Sequence, residues 1–165
     1  MLPLDAQPNA AHRTLARWEQ EGRLSAVITQ NIDGLHQKAG SRAVFELHGS
    51  IWHNHCTRCG AFYLPERIRD SAGVPRCSCG GIIKPDVVLY GESLDEDCLA
   101  GAVHALRQAD LLLVGGTSLT VYPAAGLLRY FRGQRLVLIN RDATPHDGEA
   151  DLILRQPIGQ VLGQL

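Results

Sequence analysis

Four of the five cysteines fall within 24 residues, as Cys56-Thr-Arg-Cys59 and Cys77-Ser-Cys79. Seventeen residues separate the two pairs, close to the C-x2-C…C-x2-C spacing of a four-thiolate zinc site. Zinc takes four soft donors in a tetrahedron. Two tight turns, each offering two sulfurs, supply them with little chain entropy to overcome. Gly60 follows the first pair and Gly80-Gly81 the second, and glycine takes the positive φ such turns need. The second pair departs from the pattern: it is C-x-C, with Arg76 where a longer knuckle would carry sulfur. A disulfide pairing is the rival reading, and the expected reducing compartment argues against it. His53 and His55 lie close enough to replace a cysteine. Four sulfurs already fill the shell, so these histidines read as exposed loop residues. A closed shell of Cys56, Cys59, Cys77 and Cys79 leaves no open position for substrate or water, so the metal is expected to be structural.

The rest of the chain must position such a centre. Its 165 residues are enough for one domain with a real core, and 45% hydrophobic content marks it as globular. The net charge is −1 with no run of Lys or Arg, which points away from nucleic acid. No apolar stretch reaches the length of a membrane span. Met1 to Ala10 lacks a basic region followed by an apolar one, so it does not read as a secretion signal. The expected location is cytoplasmic.

Ala11, Leu15 and Trp18 space a buried helical stripe that Gly22 ends. Leu24 to Thr29 reads as a buried strand, followed by the polar loop Gln30 to Gly34. Leu35 to Ala39 is a short helical turn, and Ala43 to Leu47 a second strand that delivers His48-Gly49. After the cysteines, Pro85 to Tyr90 is strand-like. Leu94, Cys98, Ala102 and Ala109 mark one helix face, where Cys98 reads as a buried, inert thiol. Leu111 to Val114 is a buried strand entering the turn Gly115-Gly116-Thr117-Ser118. Val121 to Arg132 reads as helix, Leu136 to Ile139 as a strand ending in Asn140, Leu152 to Leu154 as a last strand, and Ile158 to Leu165 as a terminal helix. This rhythm is that of a doubly wound α/β sheet, in which ligands bind outside the carboxyl ends of the strands. Three polar clusters fall there: Gln30-Asn31-Asp33, Gly116-Thr117-Ser118 and Asn140. Singly, each is explained by a turn or a helix cap. Together they suggest a nucleotide pocket, although neither G-x-G-x-x-G nor a Walker sequence is present.

The segments Thr29 to His36, Glu46 to Gly49, the four cysteines, Lys84 to Glu92, Gly116 to Val121 and Leu138 to Asn140 together resemble the sirtuin family of NAD-dependent protein deacylases. They occur in the family's order along nearly the whole chain. The resemblance implies one catalytic domain over 1–165, a Rossmann-like parallel sheet with an inserted zinc-binding module at 53–84. It implies NAD-dependent deacetylation of an acylated-lysine protein or peptide, with the acyl group passing to ADP-ribose and nicotinamide released. By the same match, His48 resembles the general base, for which an imidazole titrating near neutral pH is suited. Asn31 and Asp33 resemble the residues lining the nicotinamide pocket, with Gln30 near the ribose. Gly116 and Ser118 resemble the turn that meets ribose and phosphates, Asn140 a holder of the adenosine ribose, and Ile158 a residue packed on adenine. Val87 and Val88 resemble the edge segment that pairs with substrate backbone. His36 reads only as a polar residue on a short helix.

The family's first strand, with its Gly-Ala-Gly loop, and a following Pro-Asp-Phe-Arg stretch have no counterpart here. That strand would lie in the middle of the sheet and its loop would cradle the pyrophosphate. The expectation is therefore an N-terminally truncated member. The alternatives are a catalytically impaired remnant acting as a zinc-stabilised peptide- or protein-binding module, and a fragment set by a late start codon.

Overall fold

The computed structural model describes residues 4–165. Helix α1 (Ala10–Gln20) starts where Asn9 accepts the His12 amide, while the His12 ring closes a reciprocal bond to the Asn9 amide. This capping box satisfies two amides the first turn leaves free. α1 packs on the terminal helix α5 (Ile158–Leu162), and Thr14 Oγ1 donates to Leu162 O at 2.9 Å.

Strands β1 (Val27–Thr29) and β2 (Val44–Glu46) pair in parallel around the short helix α2 (Leu35–Ala39). The chain then runs into β3 (Gly49–Cys56), which pairs antiparallel with β4 (Phe62–Tyr63) on one side and β5 (Ile83–Val87) on the other. Helix α3 (Pro65–Arg69) packs on β3. Gly49 enters β3 at φ 73°, and a Cβ there would lie 1.8 Å from Asp86 O. Helix α4 (Glu96–Gln108), capped by Asp95, leads to β6 (Leu111–Gly115). Strands β6, β7 (Arg135–Ile139) and β8 (Leu152–Leu154) form a parallel sheet in that order.

The α/β architecture and the cysteine-bearing sheet follow the sequence expectation, with the following main differences. The parallel strands form two sheets, β1-β2 and β6-β7-β8. Among the described residues no strand bridges them, and they meet through side chains, with Ile28, Phe45 and Leu112 packed around Leu47, Ala102 and Leu106. The first strand starts at Val27, not Leu24. The segment before the cysteines is the long strand β3, and its partner β5 begins at Ile83, not Pro85. The expected helix over Val121 to Arg132 is a 3-10 turn at Ala124–Tyr130, with Pro123 at its cap, because proline has no amide to continue a helix backwards. Cys98 is half-buried against the cluster around Ala102 and Leu106, and burial pushes its thiol up. No helix among the described residues is long and apolar enough to cross a membrane.

Candidate active site and metal centre

The last residue of β3 is Cys56, and the turn after it carries Cys59. The hairpin at 77–81, closed by bonds from Cys77 N to Gly81 O and from Gly80 N to Cys77 O at 2.9 Å each, carries Cys77 and Cys79. Its tightness is what lets a C-x-C pair do the work of a longer knuckle. Arg76, the residue that breaks the spacing, points its guanidinium back to Gly80 O at 3.1 Å. All four Sγ atoms lie within 4.8 Å of one another. Cys56 and Cys79 are 3.5 Å apart and Cys59 and Cys77 3.6 Å, and all four cysteines are free thiols.

The surroundings of Cys56 and Cys77 favour the anionic, metal-binding form of sulfur. The Arg58 amide donates to Cys56 Sγ at 3.4 Å, and Tyr63 Oη donates to Cys77 Sγ at 3.0 Å. The tyrosine bond is the main reason the Cys77 thiol is pushed down to about 6. Four soft donors, converging within tetrahedral reach and supported by outer donors, fit zinc. His55 is turned away: its Nδ1 pairs with Asp86 at 2.7 Å and its ring stands edge-on to Phe62. His53 likewise lies beside Phe62, with ring centroids 6.3 Å apart.

A second site forms at the carboxyl ends of the parallel strands. A cavity of about 690 Å³ is lined by Gly116, Thr117, Ser118, Asn140, Arg141, Ile158 and the α1 cap Asn9, among others. Four of the predicted pocket residues, Gly116, Ser118, Asn140 and Ile158, thus share one wall-to-wall space. At Gly116 the backbone takes φ 66° with nothing within 4 Å of a would-be Cβ, so the turn presents bare backbone to the cavity. The open glycine turn, the apolar Ile158 and the polar Asn140 fit a nucleotide.

Gln30, Asn31, Asp33 and His48 do not line this cavity; of these, Gln30 reaches its wall and His48 contacts Gln30. Gln30 Nε2 donates to Thr117 Oγ1 at 3.4 Å, and Gln30 O lies 3.1 Å from His48 Nδ1. A carbonyl only accepts, so that bond puts the imidazole proton on Nδ1 and leaves the Nε2 lone pair free. Asp33 Oδ1 accepts the Leu35 amide at 3.0 Å, while Asn31 is exposed. Val87 ends β5 opposite Gly49. The Val88 amide donates to His48 O at 3.0 Å, so that amide is not free for a peptide.

Sequence reasoning missed several residues that shape the site. Arg155 donates to Asp142 O at 2.9 Å and pairs with Asp147, tying down the loop beyond Asn140. Tyr63 and the bridging role of Thr117 were also unread. None carries a local signal, because each works through a partner far along the chain. Glu46, just before Leu47-His48, is half-buried, and desolvation pushes its carboxyl up. His36 is half-buried as well, with its ring centroid 4.6 Å from that of His12.

The model of the Sir2 family matches residues 1–123. A protein named NAD-dependent protein deacetylase in Clostridium acetobutylicum is 57% identical over 164 residues, covering 98% of this chain and 67% of the relative. One of the same name in Staphylococcus aureus is 42% identical over 165 residues, covering 100% and 68%. This chain therefore spans about two thirds of the length of these relatives. Among solved structures, a Sir2 with p53 peptide and NAD+ superposes with a TM-score of 0.91 at 42% identity, over 98% of this chain and 70% of that one. A Sir2 bound to a propionylated peptide gives 0.92 at 41% identity, over 99% and 72%. With a family model over most of its length and relatives this similar from end to end, the chain belongs to the Sir2 family.

Proposed function

We propose that this chain is an NAD-dependent protein lysine deacetylase, which moves the acyl group of an acylated lysine to ADP-ribose and releases nicotinamide. The observation that carries the reading is the short run of contacts from the His48 imidazole through Gln30 to Thr117 in the cavity wall. It sets a ring with a free nitrogen lone pair beside a nucleotide-sized space. The names of the relatives and the ligands of the similar structures support it: NAD-dependent deacetylases by name, and Sir2 proteins with NAD+, acetylated peptide or propionylated peptide.

NAD, when bound, supplies an electrophilic ribose carbon with nicotinamide as its leaving group. In this reading Gly116 and Ser118 meet the ribose and phosphates, Asn140 holds the adenosine ribose, and Ile158 packs on the adenine. Asn31 and Asp33 flank the nicotinamide, with Gln30 near its ribose. His48 accepts a proton at Nε2 from a ribose hydroxyl, as general base. An acyl-lysine peptide pairs along Val87 and Val88, through backbone groups other than the committed Val88 amide. Cys56, Cys59, Cys77 and Cys79 hold a structural zinc that cross-links the sheet around β3, in a module spanning 53–84. A cytoplasmic setting belongs to the same proposal, supported by four cysteines that meet as thiols, as a reducing compartment keeps them.

A second reading, a zinc-stabilised module that docks a peptide without turnover, is favoured by the break between the two parallel sheets. Calorimetric titration with NAD separates the two. Saturable heat is expected in wild type and in His48→Ala, with turnover in the variant lowered by about 10²–10⁴, the usual worth of a general base. Absence of binding heat at millimolar NAD would overturn the catalytic reading.

A further inference from the structure

Strand β3 is irregular where it passes the polar loop Gln30–Gly34. Its pairing with β5 runs Gly49–Val87 and Ser50–Asp86, then resumes at Asn54–Pro85. Ile51, Trp52 and His53 therefore have no partner in β5 and form a bulge. Bulges re-aim side chains and free backbone groups, and here both are spent on one neighbour. The Ile51 amide donates to Ile32 O at 3.0 Å. The Trp52 indole Nε1 donates to Asp33 O at 2.8 Å. Two consecutive carbonyls of the loop are thus gripped by two consecutive residues of the strand. The fully buried Asn54 braces the bulge from behind, donating to Ile51 O at 3.1 Å and to Tyr63 O at 3.2 Å.

The loop is shaped to receive the indole. Gly34 has φ 68°, and a Cβ there would lie 2.6 Å from both Cδ1 and Nε1 of Trp52. The ring therefore lies against bare backbone, and the position excludes any residue with a side chain. Asp33, whose carbonyl accepts from the indole N–H, also accepts the amide of Leu35, the first residue of α2, with its own carboxylate. Beyond Trp52 the strand continues for four residues and ends at Cys56, the first sulfur of the metal centre.

We propose that Trp52 is a positioning residue: it fixes the Asn31–Gly34 loop against β3 and so couples the four-cysteine centre to the nicotinamide end of the cofactor site. The inference rests on the reading of Asn31 and Asp33 as nicotinamide neighbours. The indole need not touch cofactor. It holds the carbonyl of Asp33 and the turn at Gly34, and through them the direction of the Asp33 side chain.

The test compares wild type with Trp52→Phe, which keeps an aromatic face and loses the donor. Hydrogen exchange of the Asp33, Gly34 and Leu35 amides is expected to speed about fivefold or more, what one lost hydrogen bond yields, with exchange in β6, β7 and β8 unchanged. NAD affinity is expected to fall by a similar factor, and affinity for ADP-ribose, which lacks nicotinamide, to stay as in wild type. If Trp52→Phe fails to fold, a benzothiophene isostere of the indole at position 52 keeps the ring and removes only the N–H. Unchanged exchange in the loop, or equal losses for NAD and ADP-ribose, would overturn the proposal. Wild type that takes up neither ligand would overturn the reading of the cofactor site instead, and the exchange comparison would still decide for or against the grip of Trp52.

Discussion

His36 illustrates how a single side chain sets a property of the whole chain. Burial pushes its imidazole down to about 4, His12 adds to the shift and Asp33 opposes it. Its Nδ1 is buried without a hydrogen-bond partner among the described residues. In the unfolded chain the same ring titrates near 6.5. The folded state then binds fewer protons than the unfolded one between these values, so stability present above pH 6.5 is lost as pH falls towards 4. The ring is only half-buried, and solvent screening keeps the loss to about 1–2 kcal/mol. Urea unfolding at pH 7 and pH 4.5 should show it, and His36→Gln should flatten the difference. An equal pH slope in the variant would place the acid sensitivity elsewhere.

At the scale of elements, the contact between α4 and β2 depends on Gly101. A Cβ there would come within 2.4 Å of Phe45 Cε1. Alanine normally gains about 1 kcal/mol over glycine inside a helix. Here the clash with a ring packed in the main core should outweigh that gain, since overpacking costs about 1–3 kcal/mol. Gly101→Ala is therefore expected to lower the denaturation midpoint, and Phe45→Leu in the same chain to restore part of it. Elements of this kind divide by how local their signals are. Helix α2 stops at Gly40 as read from sequence, and β8 keeps its bounds at Leu152–Leu154. Strand β3 was illegible, because Ser50-Ile-Trp-His-Asn-His55 lacks the clean alternation of a half-buried strand and contains a bulge. The same division holds at the site. Gly116, Ser118 and Asn140 were legible because they follow buried strands, where ligands of such sheets gather. Trp52, Tyr63 and Arg155 were not, because their partners Asp33, Cys77 and Asp142 are set by tertiary packing rather than by neighbouring sequence.

At the scale of the whole molecule, the apolar interior is divided rather than continuous. One cluster joins α4 to β1 and β2, another joins α1 and α5 to the β6-β7-β8 sheet, and a third lies beneath the cysteines around Ile83. No hydrogen-bonded ladder among the described residues runs from the two-stranded parallel sheet to the three-stranded one. Heat therefore meets two blocks held to each other by side-chain contacts alone. The melting of one need not carry the other with it, and a scanning calorimeter should return a van't Hoff enthalpy smaller than the enthalpy under the peak. Equality of the two would mean that side-chain packing around Ile28, Phe45 and Leu112, with the side-chain hydrogen bonds of Gln30 and Glu19, is enough to make the molecule melt as one.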